Sequence, residues 1–260
     1  MRKCVWCRKA EDEVPFKKVA HTVPQGLGCK DTCRNVCDLC NLFFGSHYMG
    51  MPAIETVIKE AFNISSFRYL HSDNDFGRNK SMAKFSSIYF NVDPKNYSVS
   101  IKLAFKFKKY FQENICRQLK KGLYKMFLEE TERQYENGFN EAYDFIREYS
   151  RYNIGDYPVL YFERSVPVIT MPKNWASAPK FIMDPEYQLK YLVREPGFFE
   201  FEFLGHVFGI ATSRNWELFV DNYLNKSMAA KQQLFRGFRL VNNFNDVDLA
   251  LSILDDNFRS

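Results

Sequence analysis

The sequence predicts an α+β protein: a small metal-knotted module over residues 1–70, then a larger mixed α+β domain over 71–260. Three observations carry this. Six of the seven cysteines lie before residue 41. Residues 97–107 alternate polar and apolar with the period of a strand. Residues 109–149 read as mostly helical.

A chain of 260 residues buries a sizeable core without disulfides. Aromatics at 17% argue against disorder. The net charge of +5 is too small for an electrostatic argument from the whole molecule, so any nucleic-acid case rests on local clustering. Apolar runs fall far short of the roughly 20 residues of a membrane helix, and the first residues lack an apolar signal region. The expectation is a soluble, cytoplasmic protein that makes no membrane contact.

Cys4/Cys7 and Cys37/Cys40 have the C-x2-C spacing. Two intervening residues let a tight knuckle turn both sulfurs toward one ion, and two knuckles close a tetrahedral S4 site for structural Zn2+. In a reducing compartment metal binding is favoured over disulfides. Cys29 and Cys33 have the less typical C-x3-C spacing; they either compete as ligands or, the preferred reading, are buried free thiols. Between the knuckles, Val19 to Val23 has strand character, and Pro24, Gly26 and Gly28 force an irregular loop. A helix begins near the second knuckle, facing His21 at the strand end.

The segment Ala20-His21-Thr22-Val23-Pro24-Gln25-Gly26-Leu27-Gly28, followed by Cys37-Asp38-Leu39-Cys40-Asn41-Leu42-Phe43-Phe44-Gly45, resembles the zinc-containing HNH endonucleases over residues 1 to about 65. The resemblance implies a ββα-metal fold and metal-dependent hydrolysis of DNA phosphodiester bonds, of the kind used in restriction or anti-phage defence. It implies His21 as general base, Asn41 as ligand of a catalytic Mg2+ or Mn2+, and Asn35 as the nearest candidate for the residue that orients the base. One departure is Ala20, where many members carry an acidic residue or a second histidine as metal ligand. His47 could then supply an imidazole and Asp38 or Glu55 a carboxylate, although 45–48 also reads as a simple turn.

Further along, residues 51–62 read as a helix with Pro52 in its first turn and an apolar stripe of Ile54, Val57, Ile58 and Ala61. Residues 71–81 are polar and turn-rich, marking a linker. Strands are expected at 86–90 and 97–107. The helical stretch 109–149 is expected to break at Gly122 and at Asn137-Gly138. Short strands follow at 159–162, 166–169, 188–193 and 198–203, then helices at 216–224 and 226–235.

Between Lys102 and Lys125 stand eight basic residues (Lys102, Lys106, Lys108, Lys109, Arg117, Lys120, Lys121 and Lys125) against one acid, Glu113. Such a run is either a track for a DNA backbone or an ordinary solvated face. Three functions compete: an endonuclease whose second domain selects the DNA, a zinc-knuckle module that binds nucleic acid without cutting it, and a structural or protein-interaction zinc protein. The first is favoured; a homodimer is compatible with it.

Overall fold

The computed structural model describes residues 1–47, 50–70, 87–93, 98–106, 110–166, 180–183 and 189–251. It is a mixed α+β structure with a four-cysteine cluster at its N-terminus. The first elements are β1 (Ala20–His21), β2 (Thr32–Cys33) and α1 (Asp38–Gly45), a hairpin followed by a helix. Next come α2 (Ile54–Ala61), α3 (Asn63–Leu70), β3 (Phe90–Asp93), β4 (Ser98–Ile101) and α4 (Leu103–Lys106). The long helix α5 (Phe111–Tyr135) is followed by α6 (Asp144–Tyr152). The chain continues with β5 (Val159–Arg164), β6 (Phe181–Ile182), β7 (Arg194–Glu195), β8 (Phe198–Phe203), β9 (His206–Ala211), α7 (Val220–Lys231) and β10 (Phe235–Leu240).

α5 is the spine. Residues on every side of it are buried, from Ile115 and Leu119 to Leu128 and Glu129. It packs closely on α2 because position 122 is glycine: a Cβ there would lie 2.3 Å from Ile58 Cγ1. Gly122 therefore permits a helix crossing, and the break expected there does not occur. The helix instead stops at Tyr135, with Glu136 left-handed at φ 52°, just before the expected Asn137-Gly138. α2 buries the expected stripe of Ile54, Val57, Ile58 and Ala61. Pro52 lies ahead of that helix, outside its first turn.

β10, β5, β9, β8 and β6 form an antiparallel sheet in that order, with β7 added beside β8. Alternation divides its side chains between two faces. Tyr161, Phe201, Phe203, Phe208 and Ile210 join the core shared with α5 and the N-terminal cysteines, while Leu160, Phe162, Phe198 and Val207 form a second layer with Tyr223 of α7. The first core draws on residues from Cys4 to Leu251. The linker expected at 71–81 and the strand residues 167–169 lie outside the described residues.

Several expected boundaries differ. β3 and β4 pair in a separate two-stranded sheet. The strand expected to reach Phe107 ends at Ile101, where Phe105 and Lys106 turn back to hydrogen-bond the carbonyl of Lys102. That turn carries Phe105 onto Phe111 and Tyr89, with ring centroids 4.8 and 5.4 Å away. Residues 189–193 are not strand, and one helix, α7, replaces the two expected at 216–235. β9 and β10 were not expected.

Candidate metal centre and its surroundings

Each knuckle is built by local backbone geometry. After Cys7 the chain turns through Arg8 in the left-handed region at φ 63°. The Arg8 amide donates to the Cys4 carbonyl at 2.9 Å, and the Cys4 amide to Lys9 at 2.8 Å. Cys37 caps the N-terminus of α1, and Cys40 lies in the first turn of that helix, where the positive end of the helix favours thiolate. The four Sγ atoms all lie within 4.8 Å of one another, with Cys7 and Cys37 at 3.7 Å. Tetrahedral bonds of about 2.3 Å place sulfurs about 3.8 Å apart, so the cluster fits an ion such as zinc. Cys4, Cys37 and Cys40 are buried and Cys7 partly so, which suits a closed structural site.

Close packing also couples the protonation of these thiols. The hydrogen bond with Cys40 holds the Cys4 thiol down at about 5. Burial pushes Cys7 up to about 11. The same Cys4 contact, together with burial, raises Cys40 strongly. Four thiolates this close repel one another, and a bound dication is what would reconcile them. Cys29 and Cys33 are buried outside the cluster, and burial raises both. They sit where the free-thiol reading put them.

β1 is an edge whose exposed groups are taken by helices. Asn41 of α1 donates its Nδ2 to the Val19 carbonyl at 3.2 Å, and Lys125 of α5 donates to the His21 carbonyl at 2.9 Å. α1 and α5 thus flank the strand carrying His21, and Asn41 is anchored two residues along from it. The Oδ1 of Asn41 makes no hydrogen bond among the described residues. His21 is half-buried, opposite Thr32, and its Nδ1 is buried without a hydrogen-bond partner.

The other expected members of the site are elsewhere. Asn35 donates to Glu132 near the end of α5 at 2.6 Å, so it orients the hairpin on that helix and makes no bond to His21. His47 bonds the Tyr89 hydroxyl at 3.0 Å through Nε2. Asp38 accepts the Lys18 amide at 2.8 Å, and Ala20 packs inward at 2% exposure. Glu55 pairs with Lys125 at 3.2 Å. Among the described residues, the four cysteines are the one group of three or more potential ligands gathered within reach of an ion.

Lys125 centres a buried knot unseen in the sequence. It also meets Glu129 at 3.0 Å, and Trp6 of the first knuckle donates to Glu129 at 2.8 Å. Burial works against the ammonium of Lys125, but Glu129 and Glu55 outweigh it and raise its pKa. Burial pushes Glu129 up to about 7 against the pull of Lys125. The Lys125/Glu129 spacing, four residues on a helix, was the signal available.

The basic run from Lys102 to Lys125 is not a continuous exposed strip. Lys120 and Lys121 are buried. Lys120 meets Asp156 at 2.7 Å, and Arg117 meets the same carboxylate at 3.4 Å. Lys121 donates to Asn153 at 2.5 Å, and burial followed by the Arg117 charge lowers it to about 8. Lys102 donates to the Ser87 carbonyl; Lys106 is exposed. Lys108 and Lys109 lie outside the described residues. A helix packed on all sides turns its cations inward to carboxylates and carbonyls, so a charge count along it does not measure surface charge. A different basic surface, missed in the sequence, lies beside the hairpin: a groove lined by Arg2, Lys17, Lys18 and Arg34.

No helix among the described residues is long and apolar enough to cross a membrane. Comparison with protein-family models, with curated proteins and with solved structures returns no match.

Proposed function

We propose that the N-terminal module is a metal-dependent DNA phosphodiesterase built on a structural zinc ion, with His21 as general base and Asn41 as a divalent-metal ligand. The observation that carries this reading is the seating of α1 on β1. Asn41 lies 3.2 Å from the Val19 carbonyl, two residues from His21, while Cys37 and Cys40 of the same helix join the cysteine cluster. The zinc site would thereby hold base and metal ligand in fixed relation, the positioning that hydrolysis requires. An imidazole is the side chain suited to take a proton from water near neutral pH, and the His21 ring is only half-buried. The Oδ1 of Asn41 is the atom available to a cation. Mg2+ or Mn2+ bound there would polarise the phosphate and stabilise the leaving oxygen.

A second reading, nucleic-acid binding without cleavage, is favoured by the environment of Ala20, Asp38, Glu55 and His47. The first is packed inward and the other three are engaged elsewhere, so a complete metal site would need ligands from water or phosphate. Nicking of supercoiled plasmid with Mg2+ or Mn2+ separates the readings. Wild type is expected to nick, and His21→Ala to be slower by roughly 10²–10⁴-fold with its zinc content unchanged. Equal rates would remove His21 from the mechanism. No nicking by either protein would leave the binding reading.

A further inference from the structure

A nuclease module must hold a polyanion, and among the described residues of the Lys102–Lys125 run Lys120, Lys121 and Lys125 are buried. The hairpin presents exposed cations instead. A groove of about 570 Å³ opens between the N-terminal segment, residues 16–19 and the end of β2. Arg2, Lys17, Lys18 and Arg34 line it, and none of its lining residues is a carboxylate. Lys17, Lys18 and Arg34 are exposed. Among the described residues, none of these four cations has an acidic partner within ion-pair distance. The neighbouring acids are turned to other tasks: Asp38 takes the Lys18 amide, Asp31 faces Arg133 at 3.8 Å, and Glu132 takes Asn35.

The groove is also partly preorganised. The Arg2 guanidinium lies 4.8 Å over the Phe16 ring, and its Nε donates to the Arg34 carbonyl at 2.7 Å. One cation is therefore already ordered, leaving less side-chain freedom to lose on binding. Four unpaired cations around one concavity repel one another, and a chain of phosphates relieves that repulsion while releasing its counterions.

Register links the groove to the proposed site. Thr32 lines the groove and stands directly across from His21. Directly opposed residues of an antiparallel pair share a face, so His21 lies beside Thr32 at the end of the groove without itself lining it. Cys33, paired with the buried Ala20, lines the groove as well. Val19 also lines the groove, and two residues along a strand amount to about 6.8 Å. Lys18, the lining cation nearest in sequence, is three residues from His21, about 10 Å of extended chain.

We infer that this groove, and not the Lys102–Lys125 run, is the track along which the DNA phosphate backbone reaches His21. The inference rests on the phosphodiesterase reading above for the identity of its ligand. The test is fluorescence anisotropy of a labelled 20-base-pair duplex, titrated at several salt concentrations. The proteins are wild type, the triple variant Lys17→Glu, Lys18→Glu, Arg34→Glu, and the control triple Lys226→Glu, Arg236→Glu, Arg239→Glu, which makes the same change of charge on α7 and β10. Zinc content and circular dichroism establish that each is folded. The groove variant is expected to bind at least tenfold more weakly near 0.1 M salt, and its log–log salt slope to be shallower by about 0.9 for each phosphate it no longer neutralises. The control should follow wild type. Equal affinity and slope in wild type and groove variant, equal weakening in both triples, or no duplex binding by wild type would each overturn the inference. Should the charge reversals disturb folding, Lys17→Gln with Lys18→Gln reads the same slope. The nicking assay keeps the two proposals apart. Binding that needs the groove, without cutting under any divalent metal, overturns the phosphodiesterase reading alone. Cutting and binding that survive in the groove variant overturn the groove alone.

Discussion

The hairpin module and the C-terminal sheet are held together by different means. β1 and β2 have two residues each and α1 has eight, lengths at which neither a hairpin nor a helix is stable alone. What supports them is the sulfur cluster and the polar latches onto α5: Trp6 to Glu129, Asn35 to Glu132 and Lys125 to His21. β5, β8 and β9 have six residues each, and every residue of β9 is buried. Their stability comes from stacked aromatics such as Phe198 on Tyr223 and Phe181 on Phe201, both with centroids 4.2 Å apart. The first region is specified by a few ligands at fixed spacing, the second by many interchangeable apolar contacts. Removing one ligand should therefore undo more of the first than removing one ring undoes of the second.

The largest effect should come from taking away the ion. Structural zinc contributes about 10–16 kcal/mol in small metal modules at neutral pH. A strong chelator, or Cys37→Ser, is expected to abolish hydrogen-exchange protection in the N-terminal module while β8 and β9 keep theirs. Metal analysis of the untreated protein should give one zinc per chain. Simultaneous loss of protection in both regions would break the comparison, making the continuous core one cooperative unit.

Two buried lysines sharpen it. Lys125 faces Glu129, Glu55 and the His21 carbonyl. Lys231 of α7 faces Glu200, the Tyr191 carbonyl at 2.6 Å and Ser227 at 3.0 Å. Replacing either by methionine strands a buried carboxylate, at a cost of about 3–5 kcal/mol, read by denaturant titration. Only Lys125→Met should also speed zinc release to a chelator, because only Lys125 holds the hairpin edge. Equal release rates in the two variants would remove Lys125 from the support of the metal site.

The sequence was most informative where chemistry needs a fixed spacing. Cys4, Cys7, Cys37 and Cys40 were legible because two knuckles have few other uses, and the hairpin and α1 fell where the knuckles require them. The apolar stripe of α2 was legible because one face of that helix is buried. Gly122 misled because glycine marks both helix breaks and close helix crossings, and only the position of Ile58 distinguishes them. β9 escaped notice because it is buried on both faces and lacks the alternation of a half-exposed strand. The basic residues of α5 misled for the same underlying reason: burial of a lysine depends on Asp156 or Glu55 arriving from elsewhere in the chain. Lys17, Lys18 and Arg34 form a surface only when β2 brings Arg34 beside residues 16–19.

The smallest effect expected lies where the two regions meet. Ser65 of α3 donates to the Leu249 carbonyl at 2.7 Å, so it must accept from His206 of β9, whose Nε2 lies 2.6 Å away. The ring is therefore neutral with its proton on Nε2, and its buried Nδ1 has no partner. Phe62, Tyr161 and Phe208 surround it. Burial, and after it the Arg164 charge, lowers its pKa from 6.5 to about 3. In the unfolded chain the same imidazole takes a proton near 6.5. Between those values the unfolded state binds more protons, so the contribution of His206 is complete above about 6.5 and falls as the solution is acidified. From pH 7 to pH 5 the loss should be about 2 kcal/mol. Glu129, raised to about 7 by burial, acts with the opposite sign, and comparison with His206→Gln cancels it. The amide of that variant can still donate toward Ser65 but does not titrate. Denaturant titrations at pH 7 and pH 5 should show wild type losing about 2 kcal/mol more than His206→Gln. Parallel losses would mean that His206 is protonated normally in the folded state, and that the seam between α3 and the sheet opens to water below neutral pH.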